Sequence, residues 1–326
     1  MPTHARAFWL REPGCGEIRT VEVPDPGPDE VLVRTLHTAL SRGTETLVFR
    51  GEVPADQYAA MRAPFQEGDF PGPVKYGYLN VGVVEQGPDD LRGQIVFCLY
   101  PHQSAYVVPR DAVIPVPGGV PPERAVLAGT VETAINALWD SAPLLGDRIA
   151  VVGGGMVGLG IARLLVGIPG TDVCVVDVDP GRAQAAHALG AEFATPGDAA
   201  GGRDLVFHTS GTAAGLQGAL DLLSDEGTVW DLSWYGDTEV GLRLGGRFHS
   251  ARLAIRASQV GRIAPARTDR RSPADRLRLA LRLLRDPAYD SLITGRSPLE
   301  DVPAVLGGLA TGPTADICHL ITYDEG

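Results

Sequence analysis

Long hydrophobic runs are missing from this 326-residue chain. No stretch approaches the ~20 apolar residues needed to span a bilayer, and the N-terminus has no charged-then-apolar leader pattern. The expectation is a cytoplasmic protein with no membrane partner. Cysteine is also scarce. Cys15, Cys98, Cys174 and Cys318 are widely scattered, with no C-x-x-C pair and no tight Cys/His cluster. A disulfide framework is therefore excluded, and free thiols in a reducing compartment are expected. Basic charge is in deficit, with a formal net charge of −12. That argues against a nucleic-acid partner, which needs a basic face. Repeats and low-complexity tracts are absent too. What remains is an ordinary globular composition, 44% apolar and 21% charged, in a chain long enough for two domains.

The most informative stretch is Arg148-Ile-Ala-Val-Val-Gly-Gly-Gly-Met-Val-Gly158. Ile149 to Val152 is too short for a helix and rich in β-branched residues, so a buried strand is expected. Gly153, Gly155 and Gly158 then fall in the spacing G-x-G-x-x-G, with Met156 and Val157 between them and a helical pattern beyond. The glycines suit a tight turn, close approach of a pyrophosphate and close packing of helix on strand. The helix start offers unpaired N–H groups to phosphate. A second strand, Val173 to Asp177, ends in an acid nineteen residues past Gly158. That spacing matches the ribose-binding acid of dinucleotide folds. A carboxylate there repels a 2′-phosphate, so NAD is expected over NADP, although Arg182 nearby could soften the preference.

Residues 1 to about 120 read as β-rich. Runs at 5–10, 17–23, 31–39, 79–85 and 94–99 are separated by turn clusters such as Pro24 to Pro28. Residues 51–73 read as a long loop with a short helical patch at 56–61. Strands at 149–152, 172–177, 192–194, 204–208, 228–232 and 252–256 then alternate with helices at 156–166, 180–189 and 212–223. That alternation predicts an α/β doubly wound parallel sheet. Residues 274–285 form an amphipathic helix whose arginines read as a solvated face. The tail at 317–323 reads as a strand that rejoins the first domain.

This order of features resembles the medium-chain dehydrogenase/reductase superfamily, the zinc alcohol dehydrogenase relatives. The local carriers are Ser41-Arg-Gly-Thr-Glu45, Lys75-Tyr-Gly-Tyr-Leu-Asn-Val-Gly82, Glu132-Thr-Ala-Ile-Asn-Ala137 and the glycine loop. Tyr100-Pro-His102 and Phe248-His-Ser250 through Ser258-Gln-Val-Gly261 are similar to a bacterial subgroup that includes the bacteriochlorophyllide dehydrogenase type. The resemblance implies a GroES-like β-rich catalytic domain (1–118 and 262–326), a Rossmann dinucleotide-binding domain (119–261), and homo-oligomers, here a dimer. Laid on the superfamily's C-G-T-D and G-H-E-x-x-G metal segments, the ligand positions hold Arg42, Tyr78 and Leu79, and the four-cysteine lobe is absent. No zinc is expected.

With the metal gone, something else must manage the negative charge that hydride transfer builds on a carbonyl oxygen. Arg42 either stands in for the ion, anchors an anionic substrate, or pairs with Glu45 or another acid and shapes the loop. Thr44 and Tyr78 offer hydroxyls at former relay and ligand positions. His102 and His249 lie in the subgroup's own motifs and are candidate proton donors or substrate contacts. His4, His187, His208 and His319 carry no such pattern. Glu132 could gate a proton or pin Arg42. Lys75 could lower a nearby tyrosine's pKa, with an exposed side chain as the plainer reading. Ser210 and Gly211 follow a strand end where ligands collect in open α/β sheets. The leading expectation is NAD(H)-linked alcohol/carbonyl oxidoreduction on a small molecule. Reduction of an activated C=C bond and a non-catalytic NAD-binding protein are the alternatives.

Overall fold

The structure is a computed structural model that describes residues 3–312 and 315–323. Alternating side chains set up the first sheets: β1 (Thr3–Glu12) and β2 (Cys15–Val23) form a hairpin, followed by β3 (Glu30–Leu40). On β3, Val31 and Val33 enter one apolar cluster with Val84, Val96 and Tyr106. Leu32, on the opposite face, enters another with Ala5, Val23 and Ala105. Period-two geometry thus buries both faces of one strand.

Helix α1 (Arg42–Arg50) follows directly. The loop expected around Ser41 to Glu45 is instead a helix start, because Glu45 Oε1 accepts the Ser41 backbone N–H at 2.8 Å. Then come β4 (Glu67–Gly68), β5 (Val74–Lys75), β6 (Asn80–Gln86), β7 (Ile95–Cys98), β8 (Ala105–Pro109), β9 (Val113–Pro115) and the short α2 (Pro122–Ala125).

Helix α3 (Ala128–Ser141) leads into alternating elements: β10 (Arg148–Val152), α4 (Met156–Val166), β11 (Asp172–Val176), α5 (Ala183–Ala188) and β12 (Glu192–Ala194). These continue as β13 (Arg203–His208), α6 (Ala213–Leu222), β14 (Leu223–Asp231), α7 (Arg247–Ser250), β15 (Ala254–Ala257) and α8 (Pro273–Leu283). The chain ends with β16 (Ile293–Pro298), α9 (Val302–Thr311) and β17 (Cys318–Thr322).

Two compact units result: Met1–Gly129 with Leu281–Arg285 and Ile293–Gly326, and Thr130–Ala280 with Asp286–Leu292. The first holds a four-stranded sheet ordered β2-β1-β5-β4 and a seven-stranded one ordered β16-β17-β3-β6-β7-β9, with β8 on β3. The tail strand β17 pairs antiparallel with β3. The second unit holds a wholly parallel six-stranded sheet ordered β12-β11-β10-β13-β14-β15. Strand order reverses between β10 and β13, and the carboxyl ends there form the crevice at which such sheets bind ligands. Ala150, Val152, Cys174 and Val206 pack against Leu216, Ala219 and Leu220 of α6. Each fully buried leucine there stabilises the layer by about 2 kcal/mol.

Residues 262–280 cluster with the second unit, not with the first as the 261/262 boundary proposed from sequence would have it. The physical reason is Arg276, a buried arginine on α8. Its guanidinium reaches Glu132 (3.1 Å) and Asn136 on α3, and the carbonyls of Val260 (2.5 Å) and Arg262 (3.4 Å). A seam of this kind cannot be read from the spacing of leucines along α8.

Candidate functional site

In the second unit the turn after β10 has the form a dinucleotide needs. Gly153 adopts φ +112°, and a side chain at Gly158 would lie 1.9 Å from the Gly153 carbonyl oxygen. Around Gly155, by contrast, a side chain would meet nothing within 4 Å. Gly155 is also the N-cap of α4, with no side chain capping the helix. The first-turn N–H groups at Met156 and Val157 are therefore left for an anion. Asp177, at the end of β11, accepts the Gly154 N–H at 2.6 Å and the Asp179 N–H at 2.8 Å, one on each oxygen. Each oxygen keeps a second lone pair. Arg182 is buried against Gly154 and pairs with Asp179 at 3.2 Å. Ser210 and Gly211 follow β13 beside this turn: Thr209 Oγ1 donates to the Gly153 carbonyl at 2.9 Å. Donors, open space and an acceptor together fit a nicotinamide dinucleotide.

The first unit gathers a second set of residues. Tyr78 is hydrogen-bonded by the hydroxyls of Ser41 and Thr44. Burial, helped by the charge of Glu45, pushes its phenol up to about 12. Glu45 is buried beneath them. Its second carboxylate oxygen lies 2.8 Å from His102 Nε2, and His102 Nδ1 lies 2.7 Å from Thr38 Oγ1. Thr38 Oγ1 in turn lies 3.1 Å from the Tyr323 hydroxyl. Of the expected residues, Thr44, Tyr78 and His102 thus come together. Glu45 joins them as the central acceptor; from sequence it is a partner for Arg42 or a residue that holds its segment in place, and its bond to the Ser41 N–H does the latter. Thr38, Ser41 and Tyr323 were not singled out at all. They come from β3, the helix start and the chain's tail, and no local spacing connects them.

Other expectations are corrected. Arg42 is exposed and directs Nη2 to the Gly312 carbonyl at 3.5 Å, while both oxygens of Glu45 are engaged by Ser41 and His102. Glu132 does not pin Arg42; it forms a buried ion pair with Arg276. Lys75 is not exposed. It is fully buried on β5, paired with Glu67, and donates to Gln103 Oε1 at 2.6 Å. Burial lowers its pKa, against Glu67 which raises it. Nor does it depress a tyrosine, since neighbouring Tyr100 is shifted upwards by its own burial. His249 is exposed on α7 of the second unit.

The positions that would hold the superfamily's catalytic zinc do not fit it. An arginine stays protonated, Leu79 is buried and has no lone pair, and the phenol of Tyr78 is held neutral. Among the described residues no three His, Cys, Asp or Glu side chains gather as metal ligands. No helix among them is long and apolar enough to cross a membrane.

No protein-family model matches the chain. Among solved structures it is similar to the 2R,3R-butanediol dehydrogenase of Bacillus subtilis, at 18% identity and a TM-score of 0.78, covering 98% of this chain and 100% of that one. It is similar as well to an Escherichia coli alcohol dehydrogenase complexed with NADH, at 17% identity and a TM-score of 0.76, covering 98% and 99%. The chain shares the fold of these dehydrogenases. A curated protein with sequence similarity is the 2-desacetyl-2-hydroxyethyl bacteriochlorophyllide A dehydrogenase of Cereibacter sphaeroides, 28% identical over 202 residues and 55% of this chain. The match spans 58% of that relative's length. Within this fold, the six-stranded parallel sheet carries the glycine turn and the β-rich unit carries the Glu45 cluster.

Proposed function

We propose that the protein is an oxidoreductase that interconverts an alcohol and a carbonyl on a small organic substrate, using a nicotinamide dinucleotide and no zinc. The observation that carries this reading is the turn after β10, where space at Gly155, helix N–H groups and Asp177 coincide. A bound nicotinamide supplies or accepts the hydride. The backbone at Gly153 to Gly158 holds the diphosphate, and Asp177 accepts from ribose hydroxyls. NAD is favoured over NADP: Asp177 repels a 2′-phosphate, and the nearby cation Arg182 is paired with Asp179.

In the first unit, Tyr78 supplies a neutral O–H donor to the oxygen that gains charge, and the hydroxyls of Ser41 and Thr44 hold the phenol in place. Burial keeps the Tyr78 phenol protonated throughout the neutral range, so it donates a hydrogen bond without titrating. The hydrogen-bonded chain Glu45–His102–Thr38–Tyr323 positions the helix start that carries Ser41 and Thr44. Exposed Arg42 remains cationic at any working pH and serves to attract an anionic substrate group.

The test is NADH absorbance with a panel of aldehydes, ketones, enones and secondary alcohols, with and without chelator. Turnover of carbonyls and alcohols that a chelator leaves unchanged is expected. Loss of activity on chelation overturns the zinc-free assignment, turnover of enones alone moves the chemistry to C=C reduction, and binding without turnover removes the enzyme reading.

A further inference from the structure

Near the end of the chain, β16 and β17 run parallel, with Gly295 opposite His319 and Ser297 opposite Ile321. Gly295 and Ser297 share one face of β16, because alternate residues of a strand point the same way. The glycine leaves the place beside His319 empty, and the imidazole lies across it. A side chain at Gly295 would collide with both His319 Nδ1 and Asp316 Oδ2. From there the ring reaches two partners: Nδ1 lies 2.6 Å from Asp316 Oδ2, and Nε2 lies 2.8 Å from Ser297 Oγ.

Each member has the exposure that a nucleophile, a base and its orienting acid require. The side chain of His319 is 10% exposed and that of Asp316 27%. Ser297 is half-buried on β16, the edge strand of the seven-stranded sheet. The segment carrying Asp316 is fastened to β16, where Thr294 Oγ1 accepts the Ile317 N–H at 2.7 Å.

An ionised carboxylate only accepts hydrogen bonds, so Asp316 draws an N–H from Nδ1 in either charge state of the ring. Whenever the imidazole is neutral, its one proton is at Nδ1, and Nε2 turns a lone pair to Ser297. When the ring is protonated, that lone pair is gone. The serine thus has a base on the alkaline side of the histidine titration only, a dependence that an assay can read.

We propose that Ser297 is a nucleophile that takes the acyl group of a small activated ester, with His319 as its general base and Asp316 positioning the imidazole. Half-burial of the serine restricts the acyl group to a small one. Ser297 Oγ bonds to the acyl carbon, its proton passes to His319 Nε2, and the bond to the leaving group breaks. The electron pair departs on a phenolate anion, which needs no proton. The imidazolium rests against Asp316 and then gives its proton to solvent. The same serine, imidazole and carboxylate recur on unrelated folds and are recognised by geometry, not by position in the sequence. The reaction uses no dinucleotide and no residue of the Glu45 cluster, so it stands or falls apart from the oxidoreductase reading.

The test is incubation of the full chain with p-nitrophenyl acetate from about pH 5 to about pH 9, read by intact mass and peptide mapping. Trypsin cleaves after Arg296, so the label is sought on the peptide beginning at Ser297, in which that residue is the only serine. Fragment ions separate it from Cys318. The expected result is one acetyl group at Ser297, added at a rate that rises through a single ionisation and then levels off. Ser297→Ala should lose that label, and His319→Gln should slow it about 100-fold. Asp316→Asn removes the charge that favours the imidazolium, so the midpoint should move to lower pH while the plateau falls. If the buried His319→Gln variant does not fold, the Asp316→Asn profile decides, since that side chain is partly exposed and keeps its shape. A purely structural clamp between the strands predicts an unlabelled serine. No acetyl group at Ser297 across the whole range, an undiminished rate in folded His319→Gln, or a pH profile that Asp316→Asn leaves in place overturns the proposal.

Discussion

Arg276→Met is the most informative stability experiment. The side chains of Arg276 and Glu132 are 2% and 6% exposed, and they form one ion pair. Methionine fills most of the arginine's volume, so the main loss is charge compensation and not packing. Burial already raises the Glu132 carboxyl above its ordinary range, and Arg276 pulls it partly back. Without Arg276 the shift grows. An acid whose folded pKa is raised loses nothing below its unfolded value, here 4.5. Above that value the fold is penalised increasingly as pH rises. At about 1.4 kcal/mol per pH unit, the charge penalty has a ceiling of about 4 kcal/mol at pH 7.5 and about 0.7 kcal/mol at pH 5. Lost hydrogen bonds to the Val260 and Arg262 carbonyls add about 1 kcal/mol at either pH. Urea denaturation followed by tryptophan fluorescence should thus show a loss of about 3 to 5 kcal/mol at pH 7.5 that shrinks to about 1 to 2 kcal/mol at pH 5. Adding Glu132→Gln should recover much of the neutral-pH loss. A loss independent of pH, or a double variant no more stable than Arg276→Met, would refute the electrostatic account.

Three further outcomes are expected. Gly158→Ala should abolish NADH binding in calorimetry and destabilise the second unit, because the new methyl falls 1.9 Å from the Gly153 carbonyl oxygen; unchanged affinity would remove the close-packing argument. Tyr78→Phe should lower kcat about 100-fold with little change in NADH affinity, as loss of one donor to a developing oxyanion does; an unchanged kcat would take Tyr78 out of the chemistry. An amine-reactive ester should leave Lys75 unmodified in the native protein and modify it after urea denaturation, read by peptide mass mapping, because the ammonium is buried on Glu67 and Gln103.

The second unit was legible in the sequence because its signals are local. The helix at 156–166 and the strand at 192–194 match the observed α4 and β12 to the residue. A glycine turn and its acid occupy one βαβ unit, where spacing along the chain equals position in space. The first unit's cluster was only half legible. His102 and Thr38 meet across 64 positions, and Thr38 and Tyr323 across 285. No periodicity reports such contacts. Glu132 and Lys75 were misread for a related reason. A lone charge in sequence looks solvated or functional, and only packing reveals that Arg276 or Gln103 waits beside it. His208 shows both cases, since its partner Ser210 lies two positions along the chain whereas Asp231 lies 23 away at the end of the neighbouring strand.

The chain contains a single lysine, and it is buried. Its surface cations are thus arginines, which do not lose their protons in the alkaline range. Seven of its eight tyrosines are also shifted upwards, each chiefly by burial. Few groups are left to change the molecule's electrophoretic mobility once the imidazoles have titrated. The protein should carry a nearly constant negative charge from weakly to strongly basic solution, with colloidal behaviour indifferent to pH across a span where lysine-rich proteins shed their positive surface.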